Sequence, residues 1–246
     1  MTQRSLRSLA RALHIEDSAK AFVAQLRRDM LMLRRRLAGA DRKAIDSYFR
    51  AHEARRLHIG CGDHLLSGWL NSTYYPQSHQ VLHLDATRPF PFADATFEHV
   101  YSEHMIEHIT FDQGLGMLAE CYRVLKPGGR IRISTPDLSF LVDLYRADKP
   151  RSHREYLKWA TDCFNPAAPF SEDTFVINTF VRNWGHVFIY DEKVLRHSVE
   201  RAGFTGITRC SLGNSDDAAM RNLENTARIP ENFLRMESLI LEGVKP

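Results

Sequence analysis

Disulfide chemistry has little to work with here: the 246 residues contain four cysteines, Cys61, Cys121, Cys163 and Cys210, far apart and with no Cys-x-x-Cys pair. That excludes a disulfide framework, and the expectation is reduced, mostly buried thiols. Long apolar runs are also missing, and none approaches the roughly 20 residues that a membrane-spanning helix needs. A secretory signal is absent too, because Met1 to Arg11 is basic and polar, so a soluble, cytoplasmic protein is expected. With 13 Gly and 10 Pro, the composition excludes collagenous and low-complexity chains.

What is present is an ordinary globular balance, 43% hydrophobic and 26% charged, on a length that suits one main domain with attachments. Charge is unevenly placed. Residues 1–56 hold 14 Lys and Arg against 6 Asp and Glu, a net of +8, and the remainder holds 19 against 24, a net of −5. The first part reads as a basic helical extension. Leu6, Leu9 and Leu13 mark a short stripe, and Phe22, Leu26, Met30, Leu33 and Leu37 a longer one, with Asp17 as cap and Gly39 as stop. A third helix opens at Asp41 with Ile45, Tyr48 and Phe49 on one side. Arg27, Arg28, Arg34, Arg35 and Arg36 surround the long stripe, so an anionic membrane surface is a conceivable partner, although packing or self-association into a homo-oligomer suits the interspersed acids better.

From Leu57 the pattern changes to short apolar runs alternating with helical spacing. Leu57–Ile59, Val81–Leu84, Phe97–Tyr101, Ile131–Ser134, Ile207–Leu212 and Ser238–Val244 read as strands. Asp112–Leu125 reads as a helix capped by Asp112 and ended by Lys126-Pro127-Gly128-Gly129, whose glycines permit a turn into the next strand, a second helix starts near Asp137, and a third covers Asp191–Ala202. Alternation of this kind predicts a doubly wound α/β domain with a mostly parallel sheet and helices on both faces. Ligands in such sheets bind at the carboxyl ends of strands, beside the point where strand order reverses.

The loops at those ends carry the informative residues. Leu57-His58-Ile59-Gly60-Cys61-Gly62 places two glycines where the backbone must turn and approach a ligand, and a helix starting after it would offer amide groups. Leu65 stands where the dinucleotide fingerprint wants a third glycine. The predicted strand Val81–Leu84 is followed by Asp85-Ala86-Thr87, with a carboxylate able to accept from an amine or hydroxyl. Then follow Pro89-Phe90-Pro91-Phe92-Ala93-Asp94-Ala95-Thr96-Phe97-Glu98-His99-Val100, Glu103-His104-Met105-Ile106-Glu107-His108-Ile109 and Glu120-Cys121-Tyr122-Arg123-Val124-Leu125-Lys126-Pro127-Gly128-Gly129-Arg130.

This succession resembles the class I S-adenosylmethionine-dependent methyltransferases. More narrowly, it resembles small bacterial members often associated with cell-envelope polysaccharide and glycan genes. Gly68-Trp69-Leu70-Asn71, Ser134-Thr135-Pro136-Asp137-Leu138 and the ending Glu237–Pro246 add to the likeness, which covers about 57–246. The resemblance implies a Rossmann-like seven-stranded sheet and S-adenosyl-L-methionine as methyl donor. It implies that Gly60, Cys61, Gly62 and Asp63 form the loop against the methionine part, that Asp85 and Ala86 face adenine, and that Ser102 and Glu103 line the floor under the sulfonium. Relatives carry acids where this chain has His58 and Thr73. Thr73 can offer one hydrogen bond to a ribose but no bidentate charge, and Asp63 and Asn71 are nearby stand-ins.

Methyl transfer from a sulfonium needs alignment more than elaborate chemistry, and a hydroxyl acceptor needs a base. His104 is the first candidate base and His186 the second. The aromatic-rich insertion at about 149–185, with Trp159, Phe164, Phe180 and Trp184, is expected to fold over the cofactor end of the sheet as a lid, Trp184 and Tyr190 contacting a small-molecule or glycan acceptor. A nucleic-acid acceptor is not expected, because the domain is acidic. Two other readings belong to different classes. One is a scaffold that has lost catalysis, suggested by His58 and Thr73. The other is a zinc hydrolase through His104-x-x-Glu107-His108, a motif that belongs in mid-helix but here follows a strand, so no metal is expected.

Overall fold

Seven strands, β1 (Arg56–Ile59), β2 (Leu70–Thr73), β3 (Leu82–His83), β4 (Phe97–Glu103), β5 (Leu125–Pro136), β6 (Thr205–Arg209) and β7 (Ser238–Val244), form one sheet in the order β3-β2-β1-β4-β5-β7-β6. The computed structural model describes residues 15–246. β1 to β5 pair in parallel, and β7 runs antiparallel between β5 and β6. Strand order reverses between β1 and β4, which places a crevice above their carboxyl ends. The expected doubly wound sheet is what forms.

Period-two alternation sorts the side chains. Leu57, Ile59, Val100, Ile131, Ile133, Leu239 and Leu241 face one large core. Against it pack α2 (Ala40–Ala51) through Tyr48, α3 (Phe111–Val124) through Met117, Leu118, Cys121 and Val124, and α7 (Glu192–Arg201) through Leu195 and Val199. The other face carries α4 (Leu138–Leu144), α5 (Arg151–Phe164), α6 (Asp173–Arg182) and α8 (Glu231–Glu237) over a second core that includes Phe140, Leu141, Leu144, Tyr156, Phe180 and Phe233. Tyr48 also joins the helical extension to the domain, since its hydroxyl accepts from Arg56 N at 2.8 Å.

The first described helix, α1 (Ile15–Leu37), keeps Phe22, Leu26, Met30, Leu33 and Leu37 exposed. Arg35, one of the basic residues flanking this stripe, is instead buried, donating to Asp41 Oδ1 at 2.7 Å, to Ser78 O at 3.0 Å and to Val81 O. Asp17 lies within the helix rather than capping it, and Gly39, at φ 60°, links α1 to α2. The stripe Leu6, Leu9 and Leu13 lies outside the described residues. No described helix is long and apolar enough to cross a membrane.

Three local expectations are corrected. Thr110, not Asp112, caps α3: its hydroxyl accepts from Gln113 N while Gln113 Oε1 accepts from Thr110 N, a capping box worth about 1 kcal/mol. β5 starts at Leu125 with no separate turn, so the glycines of Lys126-Pro127-Gly128-Gly129 lie in the strand. No helix follows the Gly60-Cys61-Gly62 turn. Residues 60–69 are turns held by Asn71, whose Oδ1 accepts from Leu66 N at 2.9 Å and whose Nδ2 donates to Leu66 O at 2.9 Å and Trp69 O at 3.2 Å.

The vacant helix position is covered by residues 211–225. Met220 and Leu223 pack on Trp69 and Tyr101. Arg132, fully buried, donates to Glu224 Oε1 at 2.7 Å, Glu242 Oε1 at 2.5 Å and Asn214 O at 2.9 Å, pinning this segment to β5 and β7.

Candidate active site

The turn after β1 has the backbone its glycines predict, with φ of 74° at Gly60 and 51° at Gly62. The two glycines serve different ends. A Cβ on Gly60 would lie 2.4 Å from Met105 Cγ, so Gly60 is required by packing against the segment after β4. A Cβ on Gly62 would meet nothing within 4 Å, because that residue borders an open groove. The groove measures about 560 Å³ and runs along the carboxyl ends of β1 to β4, lined by Gly60, Gly62, Thr73, Asp85, Ala86 and His104 together with Ile59, Leu84 and Ile109. That volume lies within the range of small-molecule sites, roughly 300–1,000 Å³.

The expected cofactor residues divide. Gly60, Gly62, Thr73, Asp85 and Ala86 reach the groove. Asp85 uses Oδ1 to accept from Thr87 N at 2.9 Å and Thr87 Oγ1 at 2.6 Å, which fixes the carboxylate while its Oδ2 has only Arg88 at 3.9 Å. Cys61, Asp63, Ser102 and Glu103 are not on the groove wall. Cys61 is buried, its thiol pushed up to about 11 by burial, and Asp63 is exposed. Ser102 is buried with its hydroxyl unpartnered. Glu103 falls on the same sheet face as Tyr101 and Arg132, where it accepts from Asn225 N at 3.0 Å, so alternation along β4 turns it away from the groove. Asn71 and His58 are bonded to each other at 3.0 Å on the 211–225 side, so Asn71 does not stand in for a missing acid.

The segment after β4 brings titratable side chains together. His104 N donates to Ser134 O at 2.8 Å and its φ is 44°, a left-handed backbone that few residues other than glycine adopt. The chain then forms a single 3₁₀ turn, Ile106–His108. Glu107 is fully buried. Its Oε2 accepts from Thr135 Oγ1 at 3.1 Å, and its Oε1 faces His104 Nδ1 at 3.3 Å. Burial pushes the Glu107 carboxyl up, but the His104 and His108 imidazoles outweigh it and hold the group below its usual value. A carboxylate facing Nδ1 favours the tautomer with the proton there, leaving His104 Nε2 as an acceptor, and that atom is buried with no partner.

A second cavity, of about 280 Å³, opens on the other side of His104. Trp159, Phe164, Phe180 and Trp184 of the insertion form its apolar wall, and Glu107, His186, Arg228 and Glu237 its polar one. The segment 186–188 is latched there because Val187 N and Phe188 N donate to Glu107 O at 2.7 and 3.1 Å. His186 Nδ1 contacts Phe180 O at 2.6 Å, and since a carbonyl only accepts, Nδ1 carries the proton and Nε2 the lone pair. Burial lowers the His186 pKa, which disfavours the charged ring. Tyr190 does not reach the cavity. It is buried with its hydroxyl 2.5 Å from where a Gly114 Cβ would lie, and burial pushes that hydroxyl up to about 12.

Sequence reasoning named Glu107 only as part of a zinc motif and did not single out Arg228 or Glu237 for this wall. Glu237 accepts from Tyr156 Oη at 2.6 Å, and its carboxyl is raised by burial. The His104-x-x-Glu107-His108 motif occupies one short turn and not the mid-helix that two histidines one helical turn apart require.

Residues 71–133 match the family described as Methyltransferase domain. That stretch, about a quarter of the chain, runs from β2 into β5. No curated relative matches it. Among solved structures, it is similar to an S-adenosylmethionine-dependent methyltransferase from Mesorhizobium loti, at 15% identity over 83% of this chain and 97% of that one with a TM-score of 0.47. It is also similar to a methyltransferase from Archaeoglobus fulgidus, at 16% identity over 86% and 94% with a TM-score of 0.46. Phosphoethanolamine N-methyltransferase 2 of Haemonchus contortus, solved with phosphomonomethylethanolamine and S-adenosylhomocysteine, is 15% identical over 79% of this chain with a TM-score of 0.42, and the match spans 49% of that enzyme's length.

The size and lining of the groove suit a purine nucleoside with a polar tail. Its glycine edge is open, Leu84, Ala86 and Ile109 offer an apolar flank for a purine, and Asp85 holds a carboxylate oxygen free beside them.

Proposed function

We propose that the protein transfers the methyl group of S-adenosylmethionine to an oxygen of a small-molecule or glycan acceptor held in the aromatic cavity. The observation that carries this reading is the shared wall: His104 and His108 line both the groove and the cavity, so a methyl carbon at the end of one faces an acceptor in the other. Gly60 and Gly62 would hold the amino-acid end of the donor, Thr73 its ribose, and Asp85 with Ala86 its adenine. When bound, the donor supplies an electrophilic methyl carbon on a sulfonium that leaves as a neutral thioether.

The chain's own contribution is alignment and a proton acceptor. Glu107, itself held by Thr135, orients His104 so that Nε2 receives the hydroxyl proton as the oxygen–carbon bond forms. His186, the second candidate, presents its ring on the cavity side. Trp184 stacks against the acceptor, as aromatic faces do with sugar rings. In this reading residues 57–246 are the catalytic domain, with a lid over about 149–185, and residues 1–56 an accessory helical extension. Acceptors drawn from glycan assembly fit the apolar-and-polar cavity and the family likeness.

The test separates binding from turnover. His104→Asn keeps a residue that tolerates positive φ but removes the base. It should bind S-adenosylmethionine normally in calorimetry and lose about 10²–10⁴ in the rate of S-adenosylhomocysteine release. Gly62→Asn, which adds a side chain at the groove edge but tolerates positive φ, should lose binding while keeping its circular dichroism. Equal loss of affinity in both would contradict the assignment.

A further inference from the structure

Glu107 is a buried carboxylate with one oxygen unsatisfied. Oε2 takes the Thr135 hydroxyl, but Oε1 makes no hydrogen bond of good geometry and has only His104 Nδ1 at 3.3 Å. A carboxylate oxygen has two lone pairs, so one remains open even with His104 in place. Burying a charge in that condition is costly unless a cation completes it.

Two imidazoles stand opposite. His108 and His186 have ring centroids 5.0 Å apart, and one ligand atom from each of Glu107, His108 and His186 lies within 4.8 Å of the others. His186 arrives prepared: with Nδ1–H given to Phe180 O, its Nε2 lone pair is the one left to coordinate, the outer hydrogen bond that metal-bound histidines ordinarily make. Thr135 does the same for the carboxylate. His108 is exposed and can rotate toward an ion.

We propose that Glu107, His108 and His186 bind a divalent transition-metal ion of the zinc class at the junction of the groove and the aromatic cavity. The ligand set differs from the one the sequence motif suggested, since His186 comes from a segment nearly eighty residues away and His104 stays outside the coordinating trio. Two histidines and one carboxylate leave a coordination position open, as in catalytic rather than structural zinc sites. This rests on the methyl-transfer reading: the open position, beside the acceptor cavity, would take a hydroxyl oxygen of the acceptor, which the ion would polarise.

The experiment uses the full chain freed of metal by dialysis and titrated with Co²⁺ as the probe, with no nucleoside or acceptor present. One ion per chain should bind, with a visible d–d band of low-symmetry coordination that Zn²⁺ displaces. The band should vanish in His186→Ala and in His108→Ala, the latter at an exposed residue whose loss leaves the fold intact by circular dichroism, and should persist in the control His79→Ala. Absence of the band, or its survival in His108→Ala and His186→Ala, overturns the site. Because the readout involves no methyl donor, failure here is distinct from failure to bind S-adenosylmethionine.

Discussion

His58 makes the stability of this protein depend on pH in a way that can be calculated. Its ring is buried on β1 with Nδ1 bonded to Asn71 Oδ1 at 3.0 Å and packed 5.0 Å from Tyr101, and burial lowers its pKa to about 4 from 6.5. The folded state therefore resists protonating a group that the unfolded chain protonates freely. Above 6.5 both states are neutral at this site and the full stability is present. As pH falls from 6.5 towards 4 the unfolded chain binds the extra proton and stability drops, levelling once the folded pKa is passed. Between pH 7 and pH 5 the loss comes to about 2 kcal/mol. Carboxylates titrate nearby, so the informative quantity is the difference between the wild type and His58→Asn. Urea unfolding followed by tryptophan fluorescence at closely spaced pH values should show that difference shrinking by about 2 kcal/mol as pH falls from 7 to 5. Parallel curves for the two proteins would refute the reasoning.

Three further outcomes follow from the packing. Gly114→Ala puts a methyl where the Tyr190 hydroxyl sits, 2.5 Å away, and should destabilise by about 1–3 kcal/mol, with Tyr190→Phe recovering much of the loss in a double-mutant cycle. Additive losses would contradict the contact. Arg132→Met leaves Glu224 and Glu242 buried without their cation and should cost about 3–5 kcal/mol in urea unfolding at neutral pH; a loss below about 1 kcal/mol would show that residues 211–225 do not depend on it. Of the four cysteines, Cys163 alone is classed as exposed, Cys210 is part-buried, and the Cys61 thiol is held at about 11, so a thiol reagent under native conditions should label Cys163 first. Fast labelling of Cys61 would mean that the β1 turn opens.

Much of this architecture was legible before any coordinates. β7 occupies the same seven residues that its apolar run marked, and α3 lies within one residue of its predicted span, because both are set by local periodicity. The Thr110 cap was written in the sequence as Thr-x-x-Gln, a signal that Asp112 masked. The empty helix position after β1 was not legible: only the tertiary return of residues 211–225, carrying Met220, Leu223 and Glu224, makes a helix there unnecessary. The site divides along the same line. Gly62, Asp85 and His104 line the groove because a strand end puts them there, whereas alternation along β4 turns Glu103 to the opposite face, where it accepts from Asn225 N. The pairing of Glu107 with Thr135 and its approach to His186 depend on segments distant in sequence, and no spacing rule reports them.

Titration calorimetry of the intact protein with S-adenosylmethionine and S-adenosylhomocysteine is the most direct measurement of the central claim. Saturable binding of both at one site, abolished in Gly62→Asn and retained in His104→Asn, is the predicted result. No heat with either nucleoside up to millimolar concentration, from protein whose circular dichroism shows it folded, would contradict it.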